Sequence, residues 1–312
     1  MKAAQITKYG GSEVVQINQS TPVPNDPSAG KVLVNIRAAG VNPADWKFRD
    51  GFFKQMMPLK FPSTLGWDFS GVIEKLGEGV SDYKQGDEVY GQASEITGGS
   101  GAFAEMALAT ADSIAHEPKA LSHEQAAGLP TVGVSAWQAL VETIGLTNGQ
   151  KILIHGGAGG IGSIAIQMAK HRGAHIATTV RANDMQYVKE LGADEIIDYQ
   201  TQNFDDLLHD YDAVYDNVGG ETYTRSFKIL KKGGIIVSML EQPNQQLMEQ
   251  FGVKAVFQLT QVNRERLTKL AQWVDQNNIR VNVDRAFPLE EAGKALDYQK
   301  DVHPRGKVVV EI

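Results

Sequence analysis

Residues 152–172 read ILIHGGAGGIGSIAIQMAKHR: an apolar run, a burst of glycine, then an apolar pattern resuming at helical spacing. Gly157, Gly159 and Gly162 stand in the order G-x-G-x-x-G, directly after a predicted strand (151–155) and at the mouth of a predicted helix (161–171). The glycines have separate tasks: a tight turn, close approach of the backbone to a pyrophosphate, and tight packing of helix on strand. The helix start adds N–H groups and a partial positive charge that favour a diphosphate. A glycine-rich turn without a ligand is the bland alternative, and the strand–turn–helix context argues against it. The stretch Gly157, Ala158, Gly159, Gly160, Ile161 and Gly162 is therefore read as a dinucleotide cradle.

Working outward, short apolar strands are predicted at 151–155, 175–179, 195–198, 213–216 and 234–239. Amphipathic helices fall between them near 161–171, 184–191 and 221–230. Nearly continuous apolar strands alternating with helices imply a parallel sheet covered on both faces. The first 122 residues have another texture: β-type runs such as KVLVNIRAAG and GDEVYG, separated by Gly, Pro and Asp turns. After Arg264 come a helix, a strand–turn–helix and the strand KVVVEI. The fold class is α/β, with a Rossmann-type doubly wound domain over 123–264 following a β-rich stretch over 1–122.

The end of the second strand distinguishes between dinucleotides. A site for NAD places Asp or Glu about 20 residues beyond the glycines, to hold the ribose 2′-hydroxyl. Here the strand ends HIATTVRANDMQ, offering Thr179 and Arg181, with Asn183 and Asp184 read as the cap of the next helix. Arg181 suits a 2′-phosphate and Thr179 a hydrogen bond to it, favouring NADP(H). A solvated loop arginine is the alternative.

Composition excludes several chemistries. The chain has no cysteine, so disulfides, thiolate metal sites and cysteine nucleophiles are impossible. Its seven histidines form no HExxH pair, and no G-x-S-x-G elbow occurs. The net charge of −7, without a Lys/Arg block, indicates neither a nucleic-acid nor an anionic-membrane partner. No apolar stretch approaches the roughly 20 residues of a bilayer span, and a cytoplasmic location is the expectation.

The stretch 149–170, GQKILIHGGAGGIGSIAIQMAK, is similar throughout to the signature of the zinc-independent quinone oxidoreductase/zeta-crystallin group of the medium-chain dehydrogenase/reductase superfamily. Segments 38–51 (AAGVNPADWKFRDG), 66–91 (GWDFSGVIEKLGEGVSDYKQGDEVYG), 126–140 (AAGLPTVGVSAWQAL) and the ending GKVVVEI agree with it. Within the group, NPADWK most resembles the enone (alkenal) reductase branch. The resemblance implies a GroES-like catalytic domain formed by 1–122 and completed by 265–312, into which the Rossmann domain is inserted, an active site in the cleft, and homodimers. Zinc-dependent relatives hold their metal with Cys, a Gly-His-Glu turn and a further Cys or His. Here those places carry Asn42 and Gly66-Trp67-Asp68, so no zinc is expected.

Without a Lewis acid, hydride transfer suits carbons already activated by conjugation, as in quinones and α,β-unsaturated carbonyls. The resemblance also implies site residues. Asn42 is assigned to the nicotinamide ribose or substrate carbonyl, with a turn role before Pro43 as the alternative. Lys47 is assigned to the carboxamide or developing enolate, against a surface lysine; Thr131 to cofactor or substrate; Tyr199 to the 2′-phosphate. Trp46, Phe52, Phe53 and Trp67 suggest an aromatic substrate pocket, with plain core as the alternative. Asn217 and Val218 sit where ligands gather at a strand's carboxyl edge, Ser238 is expected beside the nicotinamide, and Asp45 is expected to pair with a cation. Tyr90 reads as packing, and no general acid stands out. A low-turnover NADPH-binding protein and an enoyl-thioester reductase are the competing readings.

Overall fold

The glycine-loop strand lies in the middle of a sheet and the chain winds outward from it in both directions. The computed structural model describes all 312 residues, which divide into two compact units, Met1–Thr131 with Val262–Ile312, and Val132–Gln261. In the second unit six parallel strands lie in the order Glu195–Asp198, His175–Val180, Lys151–His155, Tyr211–Asp216, Leu230–Ser238, Lys254–Phe257. Helices Gly160–His171, Met185–Leu191 and Gly220–Ser226 follow the first, second and fourth strands of the chain, as expected. Ile152, Leu153 and Ile154 are all fully buried, which is why the strand reads as an unbroken apolar run rather than an alternating one. Strand order reverses between Lys151–His155 and Tyr211–Asp216, so the loops at Gly156 and Asn217 open a crevice at the carboxyl ends. The edge strand Lys254–Phe257 and the helix Gln245–Phe251 were not anticipated: each is too short to show periodicity.

The first unit is built on the eleven-residue strand Lys31–Val41, which pairs antiparallel with Asp68–Leu76, Met106–Thr110 and Lys307–Glu311. The C-terminal strand thus completes a GroES-like β-rich sheet begun nearly 270 residues earlier, Val308 facing Val41 in register. The boundary falls at Thr131/Val132 rather than the expected 122/123. Helix His123–Ala127 packs directly on the long strand: a Cβ on Gly40 would lie 2.2 Å from the Ala127 carbonyl oxygen, so only glycine permits the approach. The second boundary falls at Gln261/Val262, because helix Arg264–Asn277 belongs to the first unit, where buried Tyr90 donates its hydroxyl to Leu267 O at 2.7 Å. No helix is long and apolar enough to cross a membrane.

His155, the last residue of the central strand, is fully buried. Ser226 Oγ donates to Thr222 O and therefore accepts from His155 Nε2, 2.9 Å away. The neutral ring then accepts at Nδ1 from the Thr179 hydroxyl at 3.0 Å. Burial pulls the imidazole down from 6.5 to about 4, with Arg225 acting the same way and Asp216 against it. The folded state thus binds fewer protons than the unfolded chain between those values, so stability present above pH 6.5 is lost as pH falls toward 4. In urea unfolding from pH 7 to 4, the parent is expected to lose on the order of 3 kcal/mol more than His155→Gln. Parallel losses in the two proteins would refute this.

Candidate active site

In the second unit the glycine loop closes on itself. A Cβ on Gly162 would lie 2.3 Å from Gly156 O and 2.7 Å from Gly157 Cα, and one on Gly157 would lie 2.0 Å from Thr178 Oγ1. Those two glycines are required by the protein's own packing. Gly159 differs: its Cβ would meet only Gly156 O, at 3.5 Å, and its φ of −75° suits any residue. Nothing in the chain demands glycine there, which fits a backbone left bare for a ligand at the start of helix Gly160–His171. Ala158, Gly159, Gly160 and Ile161 are half-buried around that helix start. Asn217 supplies a second sign. Its Nδ2 donates to His155 O at 3.1 Å, while its Oδ1 is buried without a partner, an acceptor awaiting a donor. The loop and this orphaned acceptor fit a dinucleotide.

The neighbouring residues are placed less uniformly. Tyr199 is 56% exposed at its strand end, and Val218 stands half exposed beside the glycine loop. Arg181 is partly exposed, its Nε 4.0 Å from Asp184 Oδ2. Asp184 occupies the helix cap position but makes no side-chain capping bond. Thr179 does not offer a hydroxyl to a phosphate: it is buried, its proton goes to His155 Nδ1, and its oxygen receives Gly156 N–H at 3.4 Å. Ser238 is likewise committed internally. Its hydroxyl donates to Asp216 Oδ2 at 2.7 Å and accepts from the N–H groups of Leu240 and Glu241. Asp216 Oδ1 receives Val218 and Gly219 N–H, so this buried carboxylate ties together the loops following two strands.

In the first unit a polar network is sealed inside the sheet. Asp68 is fully buried and accepts four hydrogen bonds: Gln92 Nε2 (3.0 Å) and Thr131 Oγ1 (2.7 Å) on Oδ1, Asn42 Nδ2 (2.9 Å) and Thr131 N (3.0 Å) on Oδ2. Its carboxylate sits at the start of helix Pro130–Trp137, where a negative charge is favoured. Asn42 Oδ1 receives the Lys307 ammonium at 2.5 Å. Asn42 is therefore neither a free ligand for ribose nor merely a turn residue; it is the bridge between a buried cation and a buried anion. Thr131 directs its hydroxyl proton to Asp68, and the same oxygen receives Gln92 Nε2 at 3.0 Å.

Asp45 forms no ion pair. It is 1% exposed, its Oδ2 accepts Asn42 N–H at 2.7 Å, and its Oδ1 has no partner. Burial raises its carboxyl to about 8, so it is largely neutral at pH 7. A cavity of about 20 Å³ lined by Asp45, Phe48, Trp67 and Ser94 adjoins it, large enough for one water and far too small for a quinone. The four aromatics do not line one pocket. Phe53 and Trp67, both half-buried, meet buried Phe48 in tilted contacts, at 4.8 and 5.5 Å between ring centroids. Trp46 bonds Gln299 Oε1 through Nε1 and meets Phe52 edge-on at 5.6 Å. Half-buried Lys47 lies over the Trp46 ring at 5.6 Å, with Lys300 at 5.0 Å, while Phe52 is 66% exposed. Sequence reasoning missed His155, Asp216 and Lys307, and saw Asp68 only as an absent metal ligand.

Comparison with known proteins now bears on this geometry. Residues 28–119 match the alcohol dehydrogenase GroES-like domain family, and residues 191–310 the zinc-binding dehydrogenase family. The chloroplastic NADPH-dependent alkenal/one oxidoreductase of Arabidopsis thaliana is 35% identical, over 99% of this chain and 79% of that protein. The quinone oxidoreductase of Coxiella burnetii superposes with a TM-score of 0.89 at 34% identity, covering 100% of this chain and 99% of that one. The Escherichia coli quinone oxidoreductase complexed with NADPH superposes equally, TM-score 0.89, at 29% identity over 100% of both chains. The chain belongs to the medium-chain dehydrogenase/reductase superfamily. Its relatives there include quinone oxidoreductases and alkenal/one reductases, and it is a NAD(P)H-dependent oxidoreductase.

The contrast between the glycines gives a direct test. Gly159→Val should leave the melting temperature within about 2 °C of the parent while abolishing NADPH binding by calorimetry, because only the ligand needs that space. Gly162→Ala should instead destabilise the fold by about 1–3 kcal/mol, through overpacking against Gly156. Retained NADPH affinity in Gly159→Val would remove the loop from the site.

Proposed function

We propose that this oxidoreductase uses NADPH to reduce quinones or α,β-unsaturated carbonyls, and does so without zinc. The observation that carries the reading is the donor set where zinc-dependent relatives bind metal. Asn42 Oδ1 is held by the Lys307 ammonium, both Asp68 oxygens are filled by N–H and O–H donors, and Trp67 offers no ligand. A tetrahedral zinc site needs at least three N, S or O donors, and the stretch 191–310 contains no cysteine. A chain lacking such a Lewis acid is suited to acceptors whose conjugation already spreads the incoming charge onto oxygen.

When bound, reduced nicotinamide supplies the hydride; the protein orients, charges and shields. The glycine loop holds the pyrophosphate through bare backbone and the start of helix Gly160–His171. Asn217 Oδ1 accepts from the nucleotide. Arg181 and exposed Tyr199 flank the 2′-phosphate, supported by the absence of a strand-end carboxylate at 179–181. Thr131 serves as a cofactor or substrate contact, and Lys47, held over Trp46 but half-buried, donates to the acceptor oxygen as negative charge develops. Exposed Phe52 offers apolar surface to a planar acceptor. The proton that completes the product comes from solvent.

Loss of NADPH absorbance with phenanthrenequinone and with an alkenal, in protein shown by metal analysis to be zinc-free, is the deciding experiment. Binding of NADPH without turnover of either acceptor would overturn the reading in favour of a low-turnover binding protein. Arg181→Ala should raise KM for NADPH by about tenfold or more, and that for NADH by less than about twofold. Equal effects on the two would remove Arg181 from the cofactor site.

A further inference from the structure

Lys307 lies on the C-terminal strand, 4% exposed, and burial pulls its ammonium below the usual range while Asp68 and Asp45 act against that fall. Its Nζ donates to Val41 O at 2.7 Å and to Asn42 Oδ1 at 2.5 Å. Its stem runs beside Gly128, where a Cβ would come within 3.3 Å of Lys307 Cβ and Cγ. An amide has one accepting and one donating end, and which end points where follows from its neighbours. With an ammonium on one side of Asn42, the oxygen must face it, and Nδ2 must face the other way. That direction leads to Asp68 Oδ2, 2.9 Å away. Asp68 in turn takes the proton of Thr131 Oγ1 and the backbone N–H of the same residue. The donor sense therefore runs unbroken from Lys307 through Asn42 into Asp68, and Asp68 sets the direction of the Thr131 hydroxyl.

We propose that Lys307 is a positioning residue of the active site, whose buried ammonium orients Thr131 by way of Asn42 and Asp68 and balances the Asp68 charge. The inference rests on the reading of Thr131 as a cofactor or substrate contact. It also explains why residues separated by some 265 positions must meet: the bond from Lys307 to Asn42 spans that interval. An uncompensated buried carboxylate is costly, whereas a paired and fully bonded one is tolerated.

The full-length Lys307→Met variant keeps the stem and removes the charge. Its Kd for NADPH, read by protein fluorescence, is expected to stay within about threefold of the parent, and kcat to fall by about tenfold or more. The neutral double variant Lys307→Met/Asp68→Asn is expected to melt at a higher temperature than Lys307→Met alone, because the unpaired buried anion is gone. A folded Lys307→Met with kcat within about twofold of the parent would overturn the proposal, as would a double variant melting no higher than the single one. If Lys307→Met does not fold, the double variant decides: folding with reduced kcat supports the proposal, while failure to fold or parental kcat overturns it. A parent inactive on quinones and enones defeats the proposed function instead, and the Lys307–Asp68 coupling is then read from melting temperatures alone.

Discussion

A carboxylate with no access to water must find all its partners inside the protein, and Asp68 finds four hydrogen bonds from three residues on separate segments. The arrangement holds because each donor is itself held. Gln92 ends a strand paired with the one bearing Asp68, Thr131 begins a helix, and Asn42 is gripped by Lys307 from the far end of the chain. A unit whose two pieces are interrupted by 130 residues, Val132–Gln261, is thereby closed by charge and hydrogen bonding as well as by strand pairing. Leaving Asp68 without its donors would cost several kcal/mol, on the order of that for breaking a buried polar pair.

The nucleotide-binding unit solves a different problem with nearly opposite means. There the decisive feature is missing matter: no Cβ on Gly157 and Gly162 so that helix and strand can meet, and none on Gly159, where the protein's own packing leaves room for one. Polar groups around the loop fall into two sorts. His155, Thr179, Asp216 and Ser238 satisfy one another and hold the loops in place, while Asn217 keeps an acceptor without a partner. The division separates scaffold from contact surface more sharply than residue type does, since threonine and serine here serve the scaffold.

The protonation states in the first unit also follow from burial. Asp45 and Asp68 lie near the same ammonium; Asp68 collects four donors, whereas burial outweighs the backbone N–H of Asn42 at Asp45 and raises its carboxyl to about 8.

The sequence by itself determined the parallel sheet and the β-type texture of the first 122 residues, because these rest on local signals: strand-length apolar runs, turn residues and alternation with helices; that the C-terminal strand completes the β-rich unit came from the family resemblance and is fixed by long-range strand pairing. It also carried the loss of a zinc-ligand pattern, which is a matter of residue identity. Only the tertiary structure decided what the polar residues do. Asn42, Thr179 and Ser238 look like ligand contacts in the sequence, but a hydroxyl or amide is defined by its partners, and those come from segments tens to hundreds of residues away. Lys307 in GKVVVEI and His155 before the glycines were silent for the same reason: a lysine or histidine next to apolar residues gives no local sign of whether strand pairing will bury it. The short edge strand Lys254–Phe257 escaped because four residues hold too little pattern, and its existence depends on the neighbour that supplies its hydrogen bonds.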